Sequence, residues 1–193
     1  MTESELKQEI IKKASLLFNR DGLKFTMDDL ARELHISKKT IYKIIPDKKS
    51  LFNMMVDDIF DSIKQEEKNS LEDESSSTLE KLRRTLGAMP EEYYNINFQN
   101  LNVLKEKYPK IYAHVEQRLE TGWEQTIELL EKAMEEGVIR RISIPIFKTM
   151  FQATIEQFFQ RDVLIENQIP YQEALQEVVS IMIDGIVISE EGN

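Results

Sequence analysis

The 193-residue sequence has no cysteine, which excludes disulfides, thiol nucleophiles and Cys-ligated zinc and leaves stability to packing. It has two histidines, His35 and His114, far apart in the chain and without a matched carboxylate-rich helix motif. Neither a histidine metal site nor a Ser-His-Asp arrangement has a foothold. The six glycines form no phosphate-cradling loop, and the acidic pairs Glu91-Glu92 and Glu135-Glu136 diverge on a helix rather than converge on a substrate. The expectation is a protein that is not an enzyme and carries no cofactor and no metal. No apolar run approaches the roughly 20 residues that a membrane helix needs. The first 18 residues read as an amphipathic helix rather than a signal sequence, so a cytoplasmic protein without membrane contact is expected.

What the chain does have is acid, unevenly spread. The formal net charge is −10, yet residues 1–50 hold 11 Lys/Arg against 8 Asp/Glu. A basic head on an acidic body suits a protein that docks on a polyanion by one end, and it argues against coating DNA or an anionic membrane without specificity.

The head contains the most informative segment, TMDDLARELHISKKTIYKIIPDKKSLF at residues 26–52. Thr26 is a good N-cap, Asp28 and Asp29 stand in the first turn where the macrodipole favours acids, and Met27, Leu30, Ala31 and Leu34 share one face. A turn at His35-Ile36 precedes a second helix capped by Ser37. There Ile41, Ile44 and Ile45 face inward, while Lys38, Lys39, Tyr42 and Lys43 stay available to a partner. Pro46 stops that helix and Asp47 caps a third. Before the segment, Leu6, Ile10, Ala14, Leu17 and Phe18 recur at helical spacing over about residues 3–20, ending at Asp21-Gly22. Two short helices joined by a tight turn and followed by a third are the layout of a helix-turn-helix DNA reader.

Two successive helices in this segment open with a cap and two lysines, Ser37-Lys38-Lys39 and Asp47-Lys48-Lys49. Cations there oppose the macrodipole at roughly 0.3–1 kcal/mol each, and a bound phosphate at the helix N-terminus reverses that cost.

The rest reads as helices without strands or internal repeats, giving an all-α fold of about nine helices. A DNA-binding domain is expected over 1–50, with a linking helix over 48–70, and a helical second domain over 51–193. Helices are expected at 78–88, at 91–107, as one long helix from Pro109 to about Glu136 closed by Gly137, at 146–166, and at 171–188. Beyond Pro145 and Pro170, the apolar stripes exceed what docking on a single subunit requires. Their candidate dimer residues are Phe147, Met150, Leu175, Val178, Val179, Met182, Ile183 and Ile186; both stripes also fit an ordinary internal core. Tyr93, Tyr94, Phe98, Trp123, Phe151, Phe158 and Phe159 are candidates to line an apolar ligand cavity, or to pack as core.

The head resembles the TetR family of bacterial transcriptional regulators. The resemblance rests on Gly22, Thr26, Asp29, Leu30, Ala31, Leu34, Ile36, Ser37, Lys38, Thr40, Ile41, Tyr42, Lys48 and Leu51, spaced as in that family's N-terminal signature. Three positions depart from it. His35 stands where glycine is usual, Lys39 where a small residue is common, and Ile45 where an aromatic is common. His is among the non-glycine residues less reluctant to take positive φ, so the turn survives the first change.

The resemblance implies a homodimer on a palindromic double-stranded DNA operator. It also implies a second domain that encloses a small-molecule effector, and a four-helix interface made by the last two helices. It would put Lys38, Lys39, Tyr42 and Lys43 nearest to bases, and Thr26, Thr40, Lys48 and Lys49 on phosphates beside the Ser37 cap, with Tyr42 equally suited to phosphate. A repressor released by a small molecule is the leading expectation. A ligand- or partner-dependent activator and a helical protein-protein adaptor are the alternatives.

Overall fold

The computed structural model describes residues 2–94 and 99–188, without the side chains of residues 99, 101 and 102. Its α-helices are α1 Glu3–Asp21, α2 Met27–Glu33, α3 Lys38–Ile44, α4 Lys48–Glu72, α5 Thr78–Leu86, α6 Gln99–Lys107, α7 Pro109–Glu120, α8 Glu124–Glu135, α9 Ile144–Gln160, α10 Val163–Glu166 and α11 Tyr171–Asp184. Packing groups the chain into two compact units, Met1–Asp61 with Asn95–Gln117, and Ser62–Tyr94 with Arg118–Asn193. Among the described residues, no helix is long and apolar enough to cross a membrane.

The first unit is built around Phe52. Its ring takes edge-to-face contacts from Phe18 at 5.8 Å, Phe25 at 5.9 Å and Tyr108 at 5.4 Å, and Ile10, Leu17, Leu30, Ile41, Ile45 and Leu51 are fully buried beside it. Side chains of this size each contribute roughly 1.5–3 kcal/mol on burial, so this cluster is the main apolar contribution to holding α1 to α4 together. Tyr108 and Asn100 explain why this unit reaches past the boundary expected after residue 50. Asn100 Nδ2 donates to the Phe18 carbonyl at 2.7 Å, at the end of α1, where the Gly22 amide donates to the same oxygen. Gly22 has φ +60°, and a Cβ there would lie 2.6 Å from Asn100 Oδ1, so glycine is required both by conformation and by space.

In the second unit α5 packs on α8, burying Leu82 and Leu86 with Leu129, Leu130 and Ala133. The expected helix over 109–136 is two helices. Gly122 takes φ +76°, which breaks the spiral between α7 and α8, and its carbonyl accepts a hydrogen bond of 2.6 Å from Lys64 Nζ. Lys64 also pairs with Glu67 at 2.6 Å, and burial raises the Glu67 carboxyl above its ordinary value against that pairing. A Cβ at residue 122 would meet Lys64 Cε at 2.7 Å. At the far end of α8 the expected stop is present: the Val138 amide bonds the Ala133 carbonyl and the Gly137 amide the Met134 carbonyl, the paired bonds of a Schellman motif.

The stretch 146–166 is likewise divided, because Arg161 is extended and ends α9 before the short α10. At 91–107, a 3-10 turn at Glu91–Tyr93 precedes α6. After α11 the chain returns as an antiparallel bridge, Ile139 with Val187.

Candidate nucleic-acid interface

The reader's first helix starts from a complete capping box. The Thr26 hydroxyl accepts from the Asp29 amide at 3.1 Å, and Asp29 Oδ2 accepts from the Thr26 amide at 2.9 Å and from its hydroxyl at 2.7 Å. Those bonds hold the Asp29 carboxyl below its ordinary value, the Thr26 hydroxyl contributing most.

The turn closes on His35 at φ +54°. The Ile36 amide bonds the Ala31 carbonyl at 3.1 Å and the His35 amide the Arg32 carbonyl at 3.2 Å, so His35 occupies the left-handed position of a Schellman motif that glycine usually fills. Ser37 then caps α3, accepting from the Thr40 amide at 3.1 Å and sharing a 2.8 Å bond with the Thr40 hydroxyl.

This local chemistry sorts the residues of α3 by face. Ile41 and, just beyond the helix, Ile45 are fully buried and Ile44 is half-buried, while Lys38, Lys39, Tyr42 and Lys43 are exposed. Lys38 pairs with Asp28 of α2 at 2.8 Å, which raises its ammonium pKa, and its Nζ lies 6.0 Å from the centre of the Tyr42 ring. Asp28 is a residue that sequence reasoning assigned only to the α2 macrodipole. The pairing joins residues ten apart on different helices, and no helical spacing signals it.

The second Lys-Lys helix start behaves differently at its two lysines. Asp47 caps α4 by accepting from the Ser50 amide at 2.7 Å, a bond that depresses its pKa, and Lys49 is exposed. Lys48, expected on a phosphate, turns into the head. Its Nζ donates to the Leu23 carbonyl at 2.7 Å and to the Phe25 carbonyl, and lies 4.4 Å from the centre of the Phe25 ring and 5.5 Å from that of Phe52. Desolvation by these neighbours lowers its pKa. The physical reason is the pair of aromatic faces flanking the start of α4, which attract an ammonium more strongly once water is excluded.

The candidate dimer residues divide as well. Phe147, Leu175, Val179, Ile183 and Ile186 are buried in the second unit and belong to its core. They are the inward side of α9, α11 and the turn after it, and Phe147 and Ile186 also line the groove described below. Met150 is exposed, and Val178 and Met182 are half-exposed. Sequence reasoning missed Ile146 and Ile181, 62% and 64% exposed, the most prominent apolar side chains on that side of the unit. Together they border a groove of about 420 Å³ that also includes Arg140, Arg141 and Gly185.

Of the candidate ligand residues, Trp123 packs edge to face on Phe151 at 5.6 Å, with its Nε1 donating to the Leu119 carbonyl at 3.0 Å. Phe158 and Phe159 both pack on Tyr171, and Tyr93 is buried. Tyr94 lines a cleft of about 310 Å³ with Arg83, Arg84, Gln172 and Gln176. Phe98 lies outside the described residues.

Residues 10–55 match the family model of bacterial regulatory proteins, tetR family. The head is a TetR-family head. The matched span covers most of α1, the capping box, the His35 turn, α3 and the first turns of α4, the elements whose geometry is given above. Along nearly its whole length the chain is similar to the HTH-type transcriptional regulator YvaF of Bacillus subtilis strain 168, at 27% identity over 96% of this chain and 98% of that protein. It shares the TetR-family fold with two solved regulators. The one from Cytophaga hutchinsonii has a TM-score of 0.71 at 14% identity over 97% of this chain and 98% of that one. PfmR from Thermus thermophilus has a TM-score of 0.65 at 18% identity over 91% and 97%. The family match covers the head, and along the rest of the chain the likeness is one of fold.

Proposed function

We propose that this protein represses transcription as a homodimer bound to a palindromic operator and is released by a small molecule. The observation that carries the reading is the sorting of α3: Ile41 and Ile45 anchor the helix in the head, and Lys38, Lys39, Tyr42 and Lys43 are left on its exposed side. A helix so anchored offers cations and a phenol to a major groove, and the exposed Lys49 adds a phosphate contact at the start of α4.

The symmetric operator follows from pairing through α9 and α11. Ile146 and Met150 with Val178, Ile181 and Met182 make an apolar face of the kind that isologous dimers bury, and Arg140 and Arg141 supply a polar rim. The effector is assigned to the second unit, where the Tyr94 cleft and the packed aromatics around Trp123 and Tyr171 lie. Coupling runs along α4, whose first residues belong to the head and whose last residues belong to the second unit. A ligand that favours one setting of α4 over another changes operator affinity by that difference alone.

Deleting the gene in its host tests the sign. Transcription from promoters that the protein occupies should rise; a fall would make it an activator, and no occupied promoter would favour the adaptor reading.

A further inference from the structure

Lys48 is the first residue of α4, yet its side chain belongs to the other end of the reader. Its ammonium bonds the carbonyls of Leu23 and Phe25, which lie in the turn between α1 and the Thr26 cap of α2. Two of its three donors are therefore filled, and the Phe25 and Phe52 faces cover the charge. To reach a phosphate the ammonium would have to give up both carbonyls and both rings. Lys49 beside it is exposed.

We propose that Lys48 is a positioning residue, which fixes the start of α2 against the start of α4 and so sets the angle at which α3 is presented to DNA, and that it neutralises no phosphate. The inference rests on the DNA-binding function proposed above. Thr26 and Asp47, the two caps whose helices Lys48 joins, flank α3 on either side in the chain, so an error in their separation is passed to the reading helix. Desolvation by burial is the main cause that lowers the Lys48 pKa, the Lys107 cation adds to it, and the Asp29 carboxylate of the Thr26 capping box acts in the opposite sense.

A positioning residue and a phosphate ligand leave different traces in salt dependence. The test uses the full chain, a duplex recovered by selection from random DNA, and a duplex of unrelated sequence. Lys48→Met keeps the apolar stem and removes the ammonium. It should weaken binding to the selected duplex about tenfold, leave binding to the unrelated duplex unchanged, and keep the slope of log K against log salt at the wild-type value. Lys48→Gln, which retains a neutral donor for one carbonyl, should recover part of the lost affinity. Lys49→Gln should instead reduce the slope by about 0.9 on both duplexes.

A slope reduced by about 0.9 in Lys48→Met and Lys48→Gln alike would overturn the proposal and make Lys48 a phosphate ligand. Equal losses on both duplexes with lost helicity would also overturn it, leaving Lys48 a stability residue. Amide exchange in the free protein judges the placement without DNA: Met27–Ala31 should exchange faster in Lys48→Met and unchanged in Lys49→Gln, and unchanged exchange in both would contradict it. Wild-type protein that binds neither duplex would refute the DNA-binding function instead, with the exchange result standing separately.

Discussion

Asp28 of α2 and Lys38 of α3 face each other across the helix-turn-helix turn at 2.8 Å. The carboxylate draws one cation of the reading helix aside and puts a negative charge on the side of the head that must approach a polyanion. Asp28→Asn should therefore raise affinity for duplex DNA of any sequence, by roughly three- to tenfold at low salt, with the gain shrinking as salt screens the removed charge. Both partners are exposed, so the melting temperature should barely move. Fluorescence anisotropy titrations at two salt concentrations check it, and unchanged affinity at low salt would place Asp28 away from the bound DNA.

The Thr26 cap should matter for stability rather than charge. Thr26→Ala removes one half of the capping box and is expected to cost about 1 kcal/mol in urea unfolding. Loss of far less would mean that water replaces the hydroxyl.

Acid should weaken the fold through the same caps. Asp29, Asp47 and Glu80 are each depressed below their ordinary values of 3.8, 3.8 and 4.5, by hydrogen bonds from Thr26, Ser50 and Ser77 respectively. A depressed carboxyl contributes stability that is fully present above its unfolded pKa and lost as pH falls through the native one. The urea midpoint should hold from neutrality to about pH 5 and fall steeply below about pH 4. In Asp29→Asn the fall should be shallower, and an identical acid limb in that variant would remove Asp29 from the account.

Most of the head was legible in its sequence because its signals are local. Thr26, Ser37 and Asp47 are caps legible from residue type and place, each bonding an amide three residues on, and His35 at positive φ follows from its place in the turn. The partners of Lys48 and Asp28, namely Leu23, Phe25 and Lys38, come from other elements and were not legible in the sequence. The body was less legible for the same reason. Gly122 breaks a stripe that is periodic on both sides of it, since φ +76° and the Lys64 bond are invisible to periodicity. Helical spacing also marks an apolar residue without saying what covers it, so Ile183 and Met182, adjacent on α11, could not be told apart as core and surface.

That distinction yields a paired test of the dimer. Ile181 is 64% exposed and Ile183 fully buried. Ile181→Asp should convert a micromolar dimer to monomer in sedimentation equilibrium with helicity intact, because only an intersubunit contact is lost. Ile183→Asp should unfold the body, since an unpaired carboxylate cannot be accommodated in its core. A dimer that survives Ile181→Asp at wild-type strength would move the interface away from α9 and α11.

Selection of bound duplexes from random DNA by the full chain tests the central claim, that two copies of this head read DNA together. Enrichment of a palindrome whose half-sites are separated by about one helical turn or a multiple of it is expected. Enrichment of a single asymmetric half-site, or no enrichment at all, would contradict it.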